Sequence, residues 1–202
     1  MKKKIFTSIG LMSGTSMDGV DVSIIKSDGY DQFFSIFDDY YEYNNEFYKE
    51  LTQLREKISN STDLISCYDE IVNIDKKFTL FNSKIIKKVI DENQVKIDLI
   101  GFHGQTILHL PEKKISKQIG DGKLLSQLTR KVIVNNFRQN DLKNGGQGAP
   151  LTPVFHYLLS RILSDSHQLK HPINFINIGG ITNVTQVKNK NNDLENSLFA
   201  YD

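Results

Sequence analysis

Residues 5–25 read Ile5-Phe-Thr-Ser-Ile-Gly-Leu-Met-Ser-Gly-Thr-Ser-Met-Asp-Gly-Val-Asp-Val-Ser-Ile-Ile25. An apolar run ends at Met12, small polar residues fill positions 13–19, and a second strand pattern follows. In that second pattern, apolar residues at every second position from Val20 to Ile24 alternate with polar ones, as in a half-buried strand. The stretch therefore predicts a β-hairpin with a tight turn.

The turn of this hairpin has the composition of an anion-binding site. It places two glycines, three hydroxyl residues and Asp18 within seven residues. Glycines allow the backbone to approach a ligand closely, and successive N–H groups form a concavity for an anion. A Walker A loop is excluded because Val20 and Asp21 stand where Lys and Ser/Thr are required. Two interpretations remain, a hairpin that holds nucleotide phosphates with Mg²⁺ and an Asx-type turn without a ligand.

The overall composition excludes several classes of partner. The chain of 202 residues has 25 Lys and Arg against 24 Asp and Glu, so we expect neither nucleic acid nor an anionic membrane as its main partner. No apolar run is long enough to span a bilayer, and the basic N-terminus lacks the core of a signal peptide. The single cysteine, Cys67, excludes an internal disulfide and fits a reducing, cytoplasmic location.

The remaining patterns predict a mixed α/β chain. Strands precede and follow helices, which indicates one α/β domain and the start of a second. The predicted strands are 32–38, 97–102 and a buried one at 132–134; the predicted helices are 44–59, 61–93 as one or two segments, and one capped by Asp121. Beyond these, a Gly- and Asn-rich loop at 135–148 is predicted to be the domain junction. A helix is predicted from Pro150 or Pro153 to Leu163. The rest of the chain is predicted to form a hairpin of 173–178 and 181–187 around Gly179-Gly180, a polar loop at 189–196, and a strand from about Ser197.

Two further polar segments are candidates for a ligand site. His103-Gly104-Gln105-Thr106 follows a predicted buried strand, where polar residues often face a ligand crevice. Arg138 precedes a glycine-rich segment and is suited to bind a carboxylate or a phosphate. The alternatives are a loop histidine bonded to the backbone and a surface arginine on a flexible linker. His109 has no partner at zinc-ligand spacing, so no protein-held metal site is predicted.

Six segments occur in a fixed order along the chain: 9–21, 101–106, 118–120, 136–138, 145–150 and 177–183. Taken together, these motifs and their order resemble the anhydro-N-acetylmuramic acid kinase family. The resemblance implies an actin-like, sugar-kinase ATPase fold (ribonuclease H-like), with a first lobe at 1–138 and the beginning of a second at 139–202. It also implies the conversion of 1,6-anhydro-N-acetylmuramic acid, ATP and water to N-acetylmuramic acid 6-phosphate and ADP, a step of peptidoglycan recycling.

The resemblance also implies roles for individual residues. His103, Gln105 and Arg138 match positions on the sugar side of the cleft, and Asp202 matches the general base. The cofactors implied are ATP and Mg²⁺, with Asp18 or Asp21 contacting the ion through water, and the implied assembly is a homodimer. The ATP-binding residues implied by the hairpin are Gly14, Thr15, Ser16, Met17, Asp18, Gly19, Val20 and Asp21.

Two departures from the family pattern affect the expected activity. Asn136 stands where the family usually has an aspartate, which removes a charge but keeps the shape. The chain ends at the proposed base, so we expect these 202 residues alone to bind ATP poorly and to turn over little. Two alternatives remain at this point: a non-catalytic module that binds cell-wall sugar fragments, and a hydrolase with Ser13 or Ser16 as nucleophile, for which no nucleophile elbow is visible.

Overall fold

The computed structural model describes residues 4–178, 182–191 and 193–201. These residues form two compact units, Met1–Gly148 and Ala149–Asp202. The prediction of a mixed α/β chain is confirmed. No helix within the described ranges has the length and apolar character that a membrane span requires.

The first unit is built on a five-stranded sheet. The strands of the unit are β1 (Phe6–Met12), β2 (Gly19–Ser27), β3 (Phe33–Glu42), β4 (Leu99–Phe102), β5 (Gln105–Leu110), β6 (Ile115–Ile119) and β7 (Val132–Asn135). The strand order of the sheet is β3-β2-β1-β4-β7, in which β1, β4 and β7 run parallel and β2 runs antiparallel to both of its neighbours. A separate two-stranded hairpin is formed by β5 and β6. The helices are α1 (Asn45–Lys57), α2 (Asp63–Ser66), α3 (Tyr68–Asn93), α4 (Gly122–Thr129) and α5 (Phe137–Lys143), and Pro111–Lys113 form a 3-10 turn.

The core of this unit follows the predicted periodicities. Val20, Val22 and Ile24 are at most 1 % exposed, whereas Asp21 between them is exposed. In α1, Leu51 and Leu54 are fully buried, and Asn44 caps the helix by accepting a hydrogen bond from the Phe47 amide. Burying these side chains removes apolar surface from water, which is the main force that holds helices on the sheet. The predicted hairpin and the predicted amphipathic helix are both confirmed.

Several local predictions need correction. Segment 132–134 is a strand but is not buried: Val132 is 64 % exposed because β7 is the last strand of the sheet. Segment 135–148 is not a loop throughout, since α5 occupies half of it and Gln139 donates from Nε2 to the Ser116 carbonyl (2.7 Å). The first compact unit ends at Gly148. The lobe boundary after residue 138, which the family resemblance implies, stays a prediction. The β5–β6 hairpin was not predicted.

The described residues of the second unit form two helices and a small antiparallel sheet. Helix α6 (Pro153–His167) begins with a proline in its first turn, as predicted. Strands β8 (Ile173–Asn177), β9 (Asn183–Val187) and β10 (Leu198–Tyr201) form a sheet in the order β10-β9-β8, and a short helix α7 (Leu194–Ser197) lies in the predicted polar loop. The predicted Gly179-Gly180 turn lies outside the described residues.

Candidate phosphate-binding hairpin and polar cleft

The turn between β1 and β2 exposes one set of side chains and buries another. Thr15, Ser16 and Asp18 are exposed, as a ligand contact requires. Met17 is only 3 % exposed and Val20 only 1 %, so their side chains belong to the core and only their backbone is available to a ligand. A side chain at Gly19 would meet the Tyr41 carbonyl oxygen at 2.6 Å, which explains why the turn ends in glycine.

Two carboxylates lie at the exposed end of the hairpin. Ser16 donates its hydroxyl to Asp18 (2.7 Å), and this hydrogen bond lowers the pKa of Asp18. The pKa of Asp21 is raised, first by partial removal from water and then by the negative charge of Asp18. A cation beside both groups would relieve this repulsion, so the local chemistry favours a positively charged ligand.

The donor set suits Mg²⁺ better than a metal enclosed by protein ligands. Within residues 4–178, 182–191 and 193–201, no three His, Cys, Asp or Glu side chains form a group that could hold a metal ion. Mg²⁺ commonly binds through one or two carboxylates and completes its shell with phosphate oxygens and water. Asp18 and Asp21 supply two such carboxylates beside the turn, and both are exposed.

Glycines create a shallow cleft beside Asp21. Gly10 on β1 pairs with Ser23 on β2 and with Gly101 on β4, so a row of small residues crosses three strands. The cleft has a volume of about 300 Å³. It is lined by Gly10, Leu11, Met12, Asp21, Ser23, Gly101 and Phe137. A side chain at Gly10 would meet no atom within 4 Å, so the space above it is open.

The structure brings His103 and Arg138 together. Both residues are predicted from the sequence to belong to one site. Arg138 donates from Nε to Nε2 of His103 (3.1 Å), so Nε2 carries no proton. The proton therefore sits on Nδ1, which lies 2.8 Å from the Gly104 carbonyl oxygen and donates to it. Burial, and after it the charge of Arg138, lowers the pKa of His103, and the imidazole is held neutral.

His103 lines a polar cleft of about 400 Å³. Hydroxyl, amide and ammonium groups dominate its lining, a composition that suits a hydrophilic ligand such as a sugar. Asn136 lies in this lining as the residue before α5, in a left-handed conformation (φ 60°) that asparagine tolerates well. The lining residues are Phe102, His103, Ser116, Lys117, Gln118, Gly120, Asn135, Asn136, Gln139 and Lys143.

Gln105 has a different position from the other predicted sugar-side residues. It is fully buried, and its amide contacts Ser13 and the Gly14 carbonyl rather than the polar cleft. Ser13 is 3 % exposed, and its partners are Gly19, Tyr43 and Gln105, so it lacks both access and a histidine base for a hydrolase mechanism. The sequence shows Ser13 and Tyr43 as two polar residues, but nothing in their spacing indicates that they meet in the fold. Asp202, the predicted base, lies outside the described residues.

Comparison with known proteins identifies the family. The model of the anhydro-N-acetylmuramic acid kinase family matches residues 6–199. A protein of Pelagibacter ubique with that name is 52 % identical over 191 residues, which are 95 % of this chain and 50 % of the relative. An Agrobacterium fabrum protein of the same name is 38 % identical over 194 residues, or 91 % of this chain and 50 % of the relative. The chain spans about half the length of these relatives, and it belongs to the anhydro-N-acetylmuramic acid kinase family.

Proposed function

We propose that the chain takes part in the ATP-dependent conversion of 1,6-anhydro-N-acetylmuramic acid to N-acetylmuramic acid 6-phosphate. The observation that carries the proposal is the β1–β2 hairpin, which presents Thr15, Ser16 and two carboxylates at one exposed end. Membership of the kinase family supports it. The strand order β3-β2-β1-β4-β7 with β2 antiparallel supports the finer assignment to an actin-like, ribonuclease H-like ATPase fold.

The hairpin is assigned to the phosphates of ATP. Exposed hydroxyls and backbone N–H groups from Gly14 to Gly19 would bind phosphate oxygens. The open space above Gly10 would let the nucleotide lie close to the backbone of β1. Asp18 and Asp21 would hold Mg²⁺, which neutralises the charge that develops on the transferred phosphoryl group. This assignment leaves Met17 and Val20 with backbone roles only, because their side chains are in the core.

The polar cleft is assigned to the sugar. Muramic acid carries a carboxylate, and the guanidinium of Arg138, which gives Nε–H to His103, retains its Nη groups for such an anion. His103 is neutral and fixed in one tautomer, and because both of its ring nitrogens are already hydrogen-bonded, it acts by holding Arg138 in place. Gln118 and Gln139 line the same cleft and add amide groups for the acetamido and hydroxyl groups.

The reaction consists of two displacements, the first at the anomeric carbon of the sugar and the second at the γ-phosphorus of ATP. Asp202 takes a proton from a water molecule that attacks the anomeric carbon, and the bond from that carbon to O6 breaks. O6 then attacks the γ-phosphorus, and the bond to the β–γ bridging oxygen breaks as ADP leaves. The roles of Asp202 and of a homodimer are carried over from the family resemblance and are part of the proposal.

Isotope labelling tests the reaction directly. The chain, extended by the second half of the Pelagibacter relative, is incubated with ATP, Mg²⁺ and the anhydro sugar in ¹⁸O-labelled water. We expect a phosphorylated sugar that carries one ¹⁸O at C1, detected by mass spectrometry. Asp202→Asn keeps the size of the side chain and removes the base, so it should abolish the product. Product without ¹⁸O at C1, or an unchanged rate for Asp202→Asn, would contradict the mechanism.

Calorimetry on the 202-residue chain tests the sugar site separately. Arg138→Met should weaken binding of the anhydro sugar by about tenfold or more, because it removes a charge-assisted hydrogen bond. Arg130→Met, on the turn after α4, is the matched control and should bind like the wild type. Sugar binding without any turnover in the extended protein would favour the non-catalytic binding module. Absence of both sugar binding and turnover would overturn the proposal.

A further inference from the structure

A buried polar cluster lies directly beneath the turn of the β1–β2 hairpin. It consists of Ser13 directly after β1, Tyr43 between β3 and α1, and Gln105 at the start of β5. Their exposed fractions are 3 %, 4 % and 0 %. Burying polar groups this deeply costs free energy unless each has a hydrogen-bond partner. The hydrogen bonds among these three residues therefore indicate what the cluster holds in place.

The donors and acceptors of this cluster can be assigned in one direction. Gln105 donates from Nε2 to the Gly14 carbonyl (3.0 Å), which fixes the orientation of its amide. Its Oε1 then faces the Ser13 hydroxyl at 2.5 Å, and because Oε1 only accepts, Ser13 is the donor. Ser13 has a single proton, so the hydroxyl of Tyr43, 2.9 Å away, must donate to it. The chain of donors runs from Tyr43 through Ser13 and Gln105 to Gly14.

This chain holds both ends of the turn. The Gly14 carbonyl also accepts from the Met17 amide (3.2 Å), and the Gly19 carbonyl, 3.0 Å from the Ser13 hydroxyl, is a second acceptor for the same Ser13 proton. The backbone amide of Tyr43 donates to the Asp18 carbonyl (2.8 Å). Between these points Met17 adopts a left-handed conformation (φ 58°), which is unfavourable for a residue other than glycine. The cluster therefore stabilises a backbone that would not persist by local preference alone.

We propose that Ser13, Tyr43 and Gln105 are positioning residues that fix the turn Gly14–Asp18 in the conformation that receives the phosphates of ATP. The inference rests on the proposed function for its ligand, but the positioning itself is a property of the chain. It places Gln105 on the nucleotide side of the site, beneath the turn, instead of on the sugar side. A preformed turn binds more tightly because less conformational entropy is lost when the ligand arrives.

Amide hydrogen exchange on the full chain tests the positioning. Tyr43→Phe removes only the hydroxyl and keeps the ring packing against Phe47 and Phe81. Gln105→Met removes both amide hydrogen bonds at similar volume. Each variant should speed exchange of the Met17 amide by roughly tenfold, the effect of losing one buried hydrogen bond. The amide of Ile86 in the core of α3 should keep its wild-type rate, and Tyr48→Phe, at an exposed site on α1, should change neither amide.

A titratable variant provides a readout that general destabilisation would not give. In Gln105→Glu, a protonated carboxyl can donate to the Gly14 carbonyl and accept from Ser13, whereas the ionised form cannot donate. Exchange of the Met17 amide should therefore return toward the wild-type rate as pH falls through the pKa of the new carboxyl, after correction for the intrinsic pH dependence. Gln105→Met should show no such recovery.

The possible outcomes separate this inference from the proposed function. Equal acceleration at Met17 and Ile86, or no acceleration at Met17, would overturn the positioning role. Local acceleration with recovery in Gln105→Glu would support it. Addition of Mg-ATP to the chain extended by the second half of the Pelagibacter relative tests the ligand: protection of the Met17 amide that weakens at least tenfold in Tyr43→Phe supports the phosphate assignment. Local acceleration without any Mg-ATP protection would leave the positioning intact and count against the proposed function.

Discussion

At the scale of single residues, His103 shows how burial fixes a protonation state. Its pKa is lowered by burial and secondarily by Arg138, so we expect its imidazole to titrate below the ordinary value of 6.5. Arg138→Gln removes the second cause and should raise the pKa of His103 without restoring the ordinary value, because burial remains. Nitrogen-15 NMR of the imidazole gives both the titration and the tautomer. A ring protonated on Nε2 at neutral pH would contradict the assigned hydrogen bonds.

The same shift links His103 to stability. Because the folded-state pKa lies below the unfolded-state value, the unfolded chain takes up the proton first as pH falls. The contribution of the neutral His103 to the free energy of unfolding is therefore fully present above about pH 6.5, and it is lost as pH falls from there toward the folded-state pKa. Urea unfolding of His103→Gln should show a smaller loss of unfolding free energy over that range than the wild type. His167→Gln at an exposed site serves as the control.

Asp18 and Asp21 provide the second prediction at this scale. The negative charge of Asp18 contributes to the raised pKa of Asp21, so Asp18→Asn should lower the pKa of Asp21 toward its ordinary value. The partial burial of Asp21, which is the larger cause, should keep it from falling fully. Carbon-13 NMR of the carboxyl groups measures the effect, and Asp69→Asn on the exposed side of α3 is the control. An Asp21 titration that does not respond to Asp18→Asn would show that the two carboxylates are not coupled.

At the scale of elements, the start of α4 is held by three hydrogen bonds of Asp121. The Asp121 carboxylate accepts from the amides of Lys123 and Leu124 (2.8 and 2.9 Å), and the Asp121 amide donates to Thr79 on α3 (2.9 Å). We expect Asp121→Ala to lower the free energy of unfolding by about 1 kcal/mol, the usual effect of losing an N-cap. Asp121→Asn keeps the cap and should lose much less. Equal losses in urea unfolding for both variants would show that the cap is not what stabilises α4.

At the scale of the whole molecule, the main hydrophobic core lies within the first unit. Its buried members run from Ile9 to Leu125, all within Met1–Gly148. Because this core joins the five-stranded sheet to α1, α3 and α4, we expect residues 1–148 to fold without the rest of the chain. Circular dichroism should show one cooperative thermal transition for this fragment and for a fragment ending at residue 143. The shorter one should be less stable, since it lacks Gly148, whose amide donates to Asp141 (2.7 Å). A non-cooperative transition in the longer fragment would contradict an independent core.

The amino-acid sequence by itself determined the features that neighbouring residues encode. The alternation from Val20 to Ile24, the apolar face of α1, the cap at Asp121 and the proline that begins α6 are all present where the sequence predicts them. Each depends on side chains a few residues apart, so its signal is complete within a short stretch. The family too was evident from sequence, because its motifs occur in a fixed order along the chain.

Only the tertiary structure decided which distant residues meet. Ser13 and Gln105 are 92 positions apart, and they meet because β1 and β4 pair in parallel and deliver β5 beneath the hairpin turn. The exposure of β7 follows from its place at the end of the sheet, which an apolar run of three residues cannot reveal. The hairpin of β5 and β6 was missed because polar Gln105, Thr106 and His109 interrupt the apolar pattern, yet hydrogen bonds to other segments satisfy the buried Gln105. Local sequence patterns determine the helices and strands, whereas the pairing of strands determines which residues form the candidate site.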